Sequence, residues 1–314
     1  MNSRRHFLQQ TSLVTGFTLL SQVGLVNAKT TPGMRLILLG TAGGPTPKKS
    51  RAAPAQMILI NGEAYIIDCG NGVAQQIVKA GVKLSAIRHV FLSHHHSDHN
   101  ADYGNLMLLA WAADLNHRID TYGPTPIKRM TQQFLALNEF DIKTRIQDEG
   151  RQPLKSLIYP HEIKSGGLVM QNKQVKVTAA QVVHPPVTPS FAYRFEHQEK
   201  SIVISGDTSY SDNLVRLAQG ADVLVHEIMH TPSLDQLLAT EPNATRLKEH
   251  LLASHSTAEQ VGRIATEAQV KKLVLSHFVP GGDPYLDDSV WLDAVRPYFD
   301  GEIIVGSDLM EIQI

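Results

Sequence analysis

The sequence predicts an α/β protein in which two β-sheets pack face to face between two outer layers of helices. Short apolar segments bounded by Gly, Pro or Asn recur in both halves of the 314 residues, and helix-like segments lie between them. Because each sheet has two faces to bury, two such halves predict a four-layer αββα sandwich. We find no internal repeat, low-complexity tract or long linker, so one domain is expected over residues 29–314.

The individual elements follow from these segments in chain order. In the first half, strands are predicted over Met34–Gly40, Gln56–Ile60, Ala64–Asp68 and His89–Ser93, and helices over Gly72–Ala80 and Tyr103–Ala113. In the second half, strands are predicted over Val175–Ala179, Ser201–Ser205, Val223–His226, Lys272–Ser276 and Glu302–Val305, and helices over Ser211–Ala218, Ser256–Ala268 and Ser289–Tyr298. The Ser-Thr-Ala-Glu sequence at residue 256 is typical of a capped helix start.

The first 28 residues have the features of a bacterial export signal. Two adjacent arginines, Arg4 and Arg5, precede a mildly apolar stretch over 13–26 that is too short for a stable membrane anchor. The stretch ends at Val26-Asn27-Ala28, a small-residue cleavage pattern. We therefore predict a twin-arginine signal peptide over residues 1–28, recognised by the twin-arginine export machinery, and a periplasmic mature enzyme. The alternative is an uncleaved N-terminal helix or tail.

Composition and charge limit the class of partner. Apolar residues make up 42% of the chain and charged residues 19%, as in ordinary soluble globular proteins. Removal of residues 1–28 leaves 27 basic and 30 acidic side chains, a net charge of −3. Because there is no global basic field to neutralise phosphates, no nucleic-acid partner is expected. Cys69 is the one cysteine, so no internal disulfide can form.

The strongest chemical signal is the segment Ser93-His-His-His-Ser-Asp-His-Asn100, which carries four of the 15 histidines. Alternate side chains of an extended loop share a face, so His94, His96 and Asp98 are predicted to point together, with His99 beside them. Imidazole and carboxylate ligands suit zinc or another borderline divalent ion. The alternative is a His-rich surface loop that binds nothing, but the apolar strand just before the segment argues against it.

This segment resembles the His-x-His-x-Asp-His signature of the metallo-β-lactamase superfamily, and the resemblance extends over residues 34–314. In that family a later His completes the first metal site, an Asp bridges both metals and a last His completes the second site. The resemblance implies these roles for His184, Asp207 and His277, each of which ends an apolar run. The implied ligand sets are His94, His96 and His184 for one metal, Asp98, His99 and His277 for the other, and Asp207 between them.

The implied cofactors are two Zn²⁺ ions, with Mn²⁺ or iron as alternatives. A metal pair about 3.5–4 Å apart holds a bridging hydroxide at neutral pH and clamps both the attacked centre and the departing oxygen. Hydrolysis is the expected reaction. Asp98 is expected to orient or deprotonate the nucleophile in addition to binding metal.

Two further segments, His226-Glu-Ile-Met-His230 and Ala253-Ser-His-Ser-Thr-Ala-Glu259, resemble the ribonuclease Z and arylsulfatase-like branch of the superfamily. The resemblance makes Glu227 the group that orients His255. His255 is then the group that reaches the substrate and stabilises or protonates the leaving oxygen. A homodimer is a further expectation from this branch.

The substrate is expected to be a small ester. Members that process tRNA carry a long flexible arm between the third His and the bridging Asp, but here only 22 residues separate His184 from Asp207. The short interval, the export signal and the net charge together argue against tRNA. We therefore expect hydrolysis of small sulfate or phosphate esters, which share a tetrahedral centre with charged oxygens.

Three alternatives remain open at the level of sequence. The first is a lactonase or other carboxylic-ester hydrolase, which uses the same metal core. The second is a non-haem iron oxidoreductase of the same fold, because His and carboxylate ligands also hold iron. The third is a metal-binding protein without catalysis, which the combination of Glu227 and His255 with a complete ligand set disfavours.

Other residues are interpreted as structural or receive no role. Asp68 and Cys69 lie in an Asp-Cys-Gly turn and are interpreted as structural. The region 100–158, with Trp111 and Phe134, is expected either to pack in the core or to supply an apolar wall or lid for the site. Four histidines have no assigned role: His89, His95, His230 and His250.

Overall fold

The computed structural model describes residues 33–283 and 285–314. The predicted signal peptide therefore lies outside the described residues. Within the described ranges, none of the helices combines the length and the apolar character needed to cross a membrane.

The first sheet comes mainly from the N-terminal half. Its seven strands are β1 (Met34–Gly40), β2 (Ala55–Ile60), β3 (Glu63–Ile67), β4 (Ile87–Phe91), β5 (Ile119–Pro124), β6 (Ile158–Ile163) and β14 (Glu311–Gln313). They lie in the order β14-β1-β2-β3-β4-β5-β6. Pairing is antiparallel from β14 to β3 and parallel from β3 to β6.

The second sheet mirrors this arrangement. Its seven strands are β7 (Gly167–Gln171), β8 (Lys176–Val182), β9 (Ser190–His197), β10 (Lys200–Ile204), β11 (Val223–Met229), β12 (Lys272–Val279) and β13 (Glu302–Val305). They lie in the order β13-β12-β11-β10-β9-β8-β7. Strands β10 to β13 are parallel, and β7 to β10 are antiparallel.

The described residues form ten α-helices, most of which cover the outer faces of the two sheets. They are α1 (Val73–Lys79), α2 (Ser97–Asn100), α3 (Tyr103–Ala112), α4 (Ile127–Leu137), α5 (Glu139–Glu149), α6 (Asp212–Ala218), α7 (Leu234–Thr240), α8 (Leu247–Ser254), α9 (Ala258–Glu267) and α10 (Asp288–Val295).

Three large apolar clusters account for the layering. One lies between the sheets, where Phe91 and Phe195 meet edge to face with ring centroids 5.1 Å apart. A second lies under α1 and α3 on the outside of the first sheet and includes the buried Trp111. A third, which includes Trp291, lies between the second sheet and α6, α9 and α10. Each sheet is thus buried on both faces, and the predicted αββα sandwich is confirmed.

Several element boundaries differ from the sequence prediction for local reasons. The cap of α9 is Thr257, whose hydroxyl accepts from the Gln260 N–H while the Gln260 side chain accepts from the Thr257 N–H. The helix therefore begins at Ala258 and not at Ser256. Strand β12 continues past the predicted end to Val279, because its apolar run resumes after His277.

The topology places the ends of several strands at one edge of the sandwich. Strands β4, β10 and β12 belong to the parallel parts of their sheets, and parallel strands present their carboxyl ends at the same edge. The two sheets are tied there by a backbone hydrogen bond of 3.0 Å from Phe191 N–H to the Ser93 carbonyl. Residues distant in sequence therefore meet at this edge.

Candidate metal centre

The first predicted ligand set converges at this edge. His94 and His96 lie on the loop after β4, and His184 follows β8. Nε2 of His94 is 3.1 Å from Nδ1 of His96, which is 3.0 Å from Nε2 of His184. These three nitrogens and a carboxylate oxygen of Asp207 all lie within 4.8 Å of one another.

The second predicted set lies beside the first and shares Asp207. Nε2 of His99 is 3.2 Å from Oδ2 of Asp207 and 3.2 Å from Nε2 of His277. Nε2 of His277 is in turn 3.4 Å from Oδ2 of Asp98. One ligand atom from each of these four residues falls within a 4.8 Å cluster. The structure therefore brings together all seven residues predicted as ligands, with Asp207 in both groups.

The chemistry of the donor atoms fits divalent cations. Burial lowers the pKa of His94 and lowers that of His184 to about 4, so both imidazoles are neutral at neutral pH. Ring nitrogens that face each other at about 3 Å with their lone pairs repel unless a cation lies between them. Burial favours protonation of Asp207, but His277 and His99 hold the pKa of its carboxyl well below the usual range. Imidazole lone pairs and an ionised carboxylate are the ligands of zinc and similar metals.

The outer nitrogens of the ligand rings are fixed by hydrogen bonds. Nδ1 of His184 donates to the carbonyl of Ser254 at 2.9 Å, and Nδ1 of His94 lies 3.0 Å from Oγ of Ser93. Because the Ser93 hydroxyl donates to Asp68 at 2.8 Å, its oxygen accepts from His94. Both rings are therefore held with the lone pair of Nε2 toward the metal site.

Asp68 has a larger part in this arrangement than the sequence indicates. Its Oδ2 accepts from Nδ1 of His99 at 2.7 Å, and its Oδ1 accepts from the backbone N–H of Ser93 at 2.7 Å. The interpretation of Asp68 as structural is therefore incomplete, because its carboxylate orients a predicted metal ligand directly. The signal in the sequence was an ionisable residue at the end of an apolar strand, in the Asp-Cys-Gly turn. Cys69 in the same turn is fully buried.

Close backbone approach explains two glycines beside the ligands. A Cβ on Gly70 would lie 2.6 Å from the Asp98 carbonyl oxygen. Gly206, just before Asp207, has φ +59°, and a Cβ there would lie 2.7 Å from the Phe191 carbonyl oxygen. Both positions require glycine, since a side chain would push the ligand-bearing loops apart.

Glu227 and His255 form a buried pair next to the metal ligands. Oε2 of Glu227 is 2.9 Å from Nδ1 of His255, and Oε1 accepts from the Thr208 N–H at 2.6 Å. Burial by itself would lower the pKa of His255, but the charge and the hydrogen bond of Glu227 outweigh it and raise that pKa to about 9. In the absence of bound metal, the carboxylate of Glu227 thus favours the protonated form of a histidine beside the metal ligands.

A cavity of about 330 Å³ opens above these groups. Its floor contains His96, Asp98, Asp207, His255 and His277. Its apolar wall comes from α7, α8, the segment between them and the end of β12, through Leu237, Ala244, Leu247, Leu251 and Val279.

The apolar wall does not come from the region 100–158. No residue of that region, all of which is described, lines the cavity. Trp111 belongs to α3 and is buried in the core, so core packing was the right alternative for this segment. The sequence did not indicate α7 or α8 as the wall, because their short apolar runs lack a clear period.

The histidines without a predicted role separate into different environments. His95 and His230 bond to local groups, through Nε2 of His95 to the Pro124 carbonyl at 2.8 Å and Nδ1 of His230 to the Ser233 hydroxyl at 2.7 Å. His89 stacks on Tyr65 with ring centroids 4.9 Å apart. The fourth, His250, lines the cavity.

Comparison with known proteins identifies the family. The family model described as Anti-Pycsar protein Apyc1 matches residues 34–284. Ribonuclease Z of Mycolicibacterium gilvum is 31% identical over 284 residues, which cover 90% of this chain and 96% of that protein. The chain belongs to the Apyc1 family and is related to ribonuclease Z.

Solved structures of the same fold agree with this placement. The metallo-beta-lactamase fold protein YhfI from Bacillus subtilis has a TM-score of 0.65 and 20% identity, covering 89% of this chain and 98% of that one. The short form of human tRNase Z also has a TM-score of 0.65, with 22% identity over 89% of this chain and 99% of that one. At this identity the two structures support the metallo-β-lactamase fold alone. The family and the ligand cluster together confirm the prediction of a metal-dependent hydrolase acting on ester bonds.

The expectation that nucleic acid is excluded as a partner is wrong. The related proteins are named ribonuclease Z, which contradicts it. The reasoning rested on the net charge, on the export signal and on the short interval between His184 and Asp207, which holds β9 and β10. A missing arm removes one means of gripping a large RNA, whereas the chemistry of the phosphodiester depends on the metal site.

Proposed function

We propose that this chain is a dinuclear zinc phosphodiesterase whose substrates are nucleotide phosphodiesters, in RNA or in shorter molecules. The observation that carries the proposal is that members of both ligand sets line the floor of one cavity together with His255. A volume of about 330 Å³ is within the range of small-ligand pockets and suits about one nucleotide at a time.

The metals would be held by the two ligand sets already described. When bound, they would supply Lewis acidity for the phosphoryl oxygens and a nucleophile at neutral pH. Asp98 lines the cavity, and its Oδ2 accepts from the Gly44 N–H at 3.1 Å, which fixes the carboxylate for orienting the attacking water. His255 is held by Glu227 through Nδ1 and donates a proton from Nε2 to the departing oxygen.

Names of relatives favour phosphodiesters within the class of tetrahedral esters. Ribonuclease Z is by its name an enzyme that cleaves RNA, and RNA is a phosphodiester. Aryl sulfates present a similar tetrahedral centre, so an arylsulfatase uses the same groups. Lactones and carboxylic esters have a planar centre and need a different arrangement of the developing charge.

A substrate panel on metal-loaded protein tests the proposal. We expect hydrolysis of bis(p-nitrophenyl) phosphate and of a dinucleotide, and much slower turnover of p-nitrophenyl sulfate and p-nitrophenyl acetate. His255→Ala should lower kcat on the dinucleotide by about 100-fold or more, the usual contribution of a general acid. Preferential turnover of the sulfate or of the acetate would refute the phosphodiesterase proposal.

Zinc as the native metal is proposed from the ligand types. His-rich sites with two carboxylates suit zinc but also accept manganese and iron. Metal analysis of protein purified without added metal should find about two zinc ions per chain. Stoichiometric iron with a redox-active absorption would instead favour the oxidoreductase alternative.

Export by the twin-arginine pathway is proposed from residues 1–28 alone. The proposal divides the chain into a signal peptide over 1–28 and a hydrolase domain over 29–314. N-terminal sequencing of protein from the periplasmic fraction should begin near residue 29. Recovery only in the cytoplasmic fraction, with residue 1 or 2 at the N-terminus, would contradict it.

A further inference from the structure

His250 stands beside the metal ligands without belonging to them. It lies on α8, one and a half turns before His255, and it lines the cavity. Its ring centroid is 5.6 Å from that of His96 and 5.9 Å from that of His184. It is in none of the ligand clusters found among the described residues. His250 therefore lines the space above the first metal site and is not one of the metal ligands.

Local hydrogen bonds fix which nitrogen of His250 carries the proton. The Ser254 hydroxyl donates its one hydrogen to the carbonyl of Pro185. The contact of 3.3 Å between Ser254 Oγ and Nδ1 of His250 therefore has the imidazole as donor. A free imidazole has a pKa of about 6.5, so most such rings are neutral at neutral pH. A neutral imidazole that carries its proton on Nδ1 presents a lone pair on Nε2.

That lone pair is available to a substrate. Among the described residues, Nε2 of His250 has no hydrogen-bond partner, and it is absent from the set of fully buried atoms that lack one. Phosphoryl oxygens are themselves acceptors, so they cannot pair with it. A partner for this atom must be an O–H or N–H group of the substrate.

We propose that Nε2 of His250 accepts a hydrogen bond from the ribose hydroxyl adjacent to the scissile phosphodiester, so that the site prefers ribonucleotides to deoxyribonucleotides. The inference rests on the proposed phosphodiesterase function. This hydroxyl is on the sugar carbon next to the one that carries the phosphate, so it lies within a few ångströms of the phosphorus. His250 likewise lies within a few ångströms of the first ligand set. The nucleobase projects farther away, toward the apolar wall formed by Leu237, Leu247 and Leu251.

The experiment compares three variants on matched substrates. In His250→Gln the side chain is long enough to place an acceptor oxygen near the position of Nε2. In His250→Asn the side chain is too short to place its oxygen there, and in His250→Leu there is no acceptor. The substrates are uridylyl-(3′→5′)-uridine, its analogue lacking the 2′-hydroxyl on the first sugar, and bis(p-nitrophenyl) phosphate. Uracil carries no exocyclic amine, which removes one competing donor.

Wild-type protein should prefer the ribonucleotide by about tenfold in kcat/KM, the size of one well-placed hydrogen bond. His250→Leu and His250→Asn should lose that preference while keeping kcat/KM on the other two substrates within about twofold, and His250→Gln should keep most of it. Metal content and melting temperature of each variant show that the fold is intact, and the Asn variant carries the comparison if the Leu variant does not fold.

Two results would overturn the inference. Equal rates of wild-type protein on the two dinucleotides, with good turnover of bis(p-nitrophenyl) phosphate, would refute the role of His250 and leave the phosphodiesterase proposal intact. Equal losses on all three substrates in His250→Leu would show that the side chain supports the site and does not read the hydroxyl. Failure of every phosphodiester to react would refute the proposed function and the inference with it.

Discussion

Replacing Glu227 by Gln removes a charge while keeping a side chain of the same shape. The amide oxygen of Gln can still accept from the Thr208 N–H, which Oε1 of Glu227 does at 2.6 Å. What the variant loses is the carboxylate 2.9 Å from Nδ1 of His255. Because that carboxylate outweighs burial and raises the pKa of His255 to about 9, the variant returns this pKa toward 6.5 or below.

The size of the effect depends on pH in a way that can be calculated. A pKa of about 9 leaves about 0.9 of His255 protonated at pH 8, whereas a pKa of 6.5 leaves about 0.03. If protonated His255 donates to the departing oxygen, kcat of Glu227→Gln at pH 8 should be about 30-fold lower than in the wild type, or lower still. At pH 6 the wild type is almost fully protonated and a variant pKa of 6.5 leaves about 0.76 of His255 protonated, so the loss of rate at pH 6 should be much smaller than the loss at pH 8.

The assay is the rate of p-nitrophenol release from bis(p-nitrophenyl) phosphate at saturating substrate between pH 6 and 9.5. Metal content is measured at each pH, so that metal loss is not mistaken for loss of the proton. The alkaline limb of the kcat profile should lie at higher pH in the wild type than in the variant, because Glu227 raises the pKa of His255. Equal loss of activity at pH 6 and pH 8 would refute the proton-donor role of His255.

Three further predictions concern the metal centre and its support. Asp68→Asn should weaken metal affinity by about 10- to 100-fold in a chelator competition, because an amide NH₂ would face the N–H of His99. The matched control is Asp222→Asn. Asp222 is also a buried carboxylate, which accepts from the Ser201 N–H at 2.8 Å, and its replacement should leave metal affinity unchanged. Removal of metal by a chelator should lower the melting temperature, since it leaves the clustered ligands without their cations, and added zinc should restore it; an unchanged melting temperature would speak against a metal site. Gly206→Ala should lower the free energy of unfolding by about 2–4 kcal/mol in urea titration, because φ is left-handed and the new Cβ would lie 2.7 Å from the Phe191 carbonyl oxygen. Gly150→Ala is the control. Gly150 has φ +68° and open space around it, so its replacement should cost about 1 kcal/mol. Equal costs for the two glycines would show that crowding at Phe191 is unimportant.

Much of the metal centre could be predicted from the sequence because its first four ligands are local. His94, His96, Asp98 and His99 lie within six residues, so their spacing alone places them on one loop. The later ligands were reached through the family resemblance, since no local pattern connects His184 with the loop at 94–99. The structure brings them to 3.0 Å because β8 and β4 end at the same edge of the sandwich.

The support of the ligands was harder to predict. Asp68 reads as a turn residue in sequence, and its bonds to Ser93 and His99 depend on the parallel pairing of β3 with β4. His250 carried no motif, and its place in the cavity follows from the packing of α8 against the end of β12. Hydrogen bonds and helix contacts of this kind link residues far apart in the chain, which periodicity cannot detect.

The sequence by itself determined the fold class, the metal-binding chemistry and the presence of a hydrolytic centre. Alternation of apolar runs specifies which faces must be buried, and imidazole and carboxylate side chains specify the class of metal, whatever their final positions. Only the tertiary structure decided three further points. It determines which nitrogen of each ring faces the metal site, it shows that Glu227 raises the pKa of His255, and it shows that α7 and α8 enclose the cavity. These depend on distances of a few ångströms between distant segments, and electrostatic and hydrogen-bond energies change steeply over such distances.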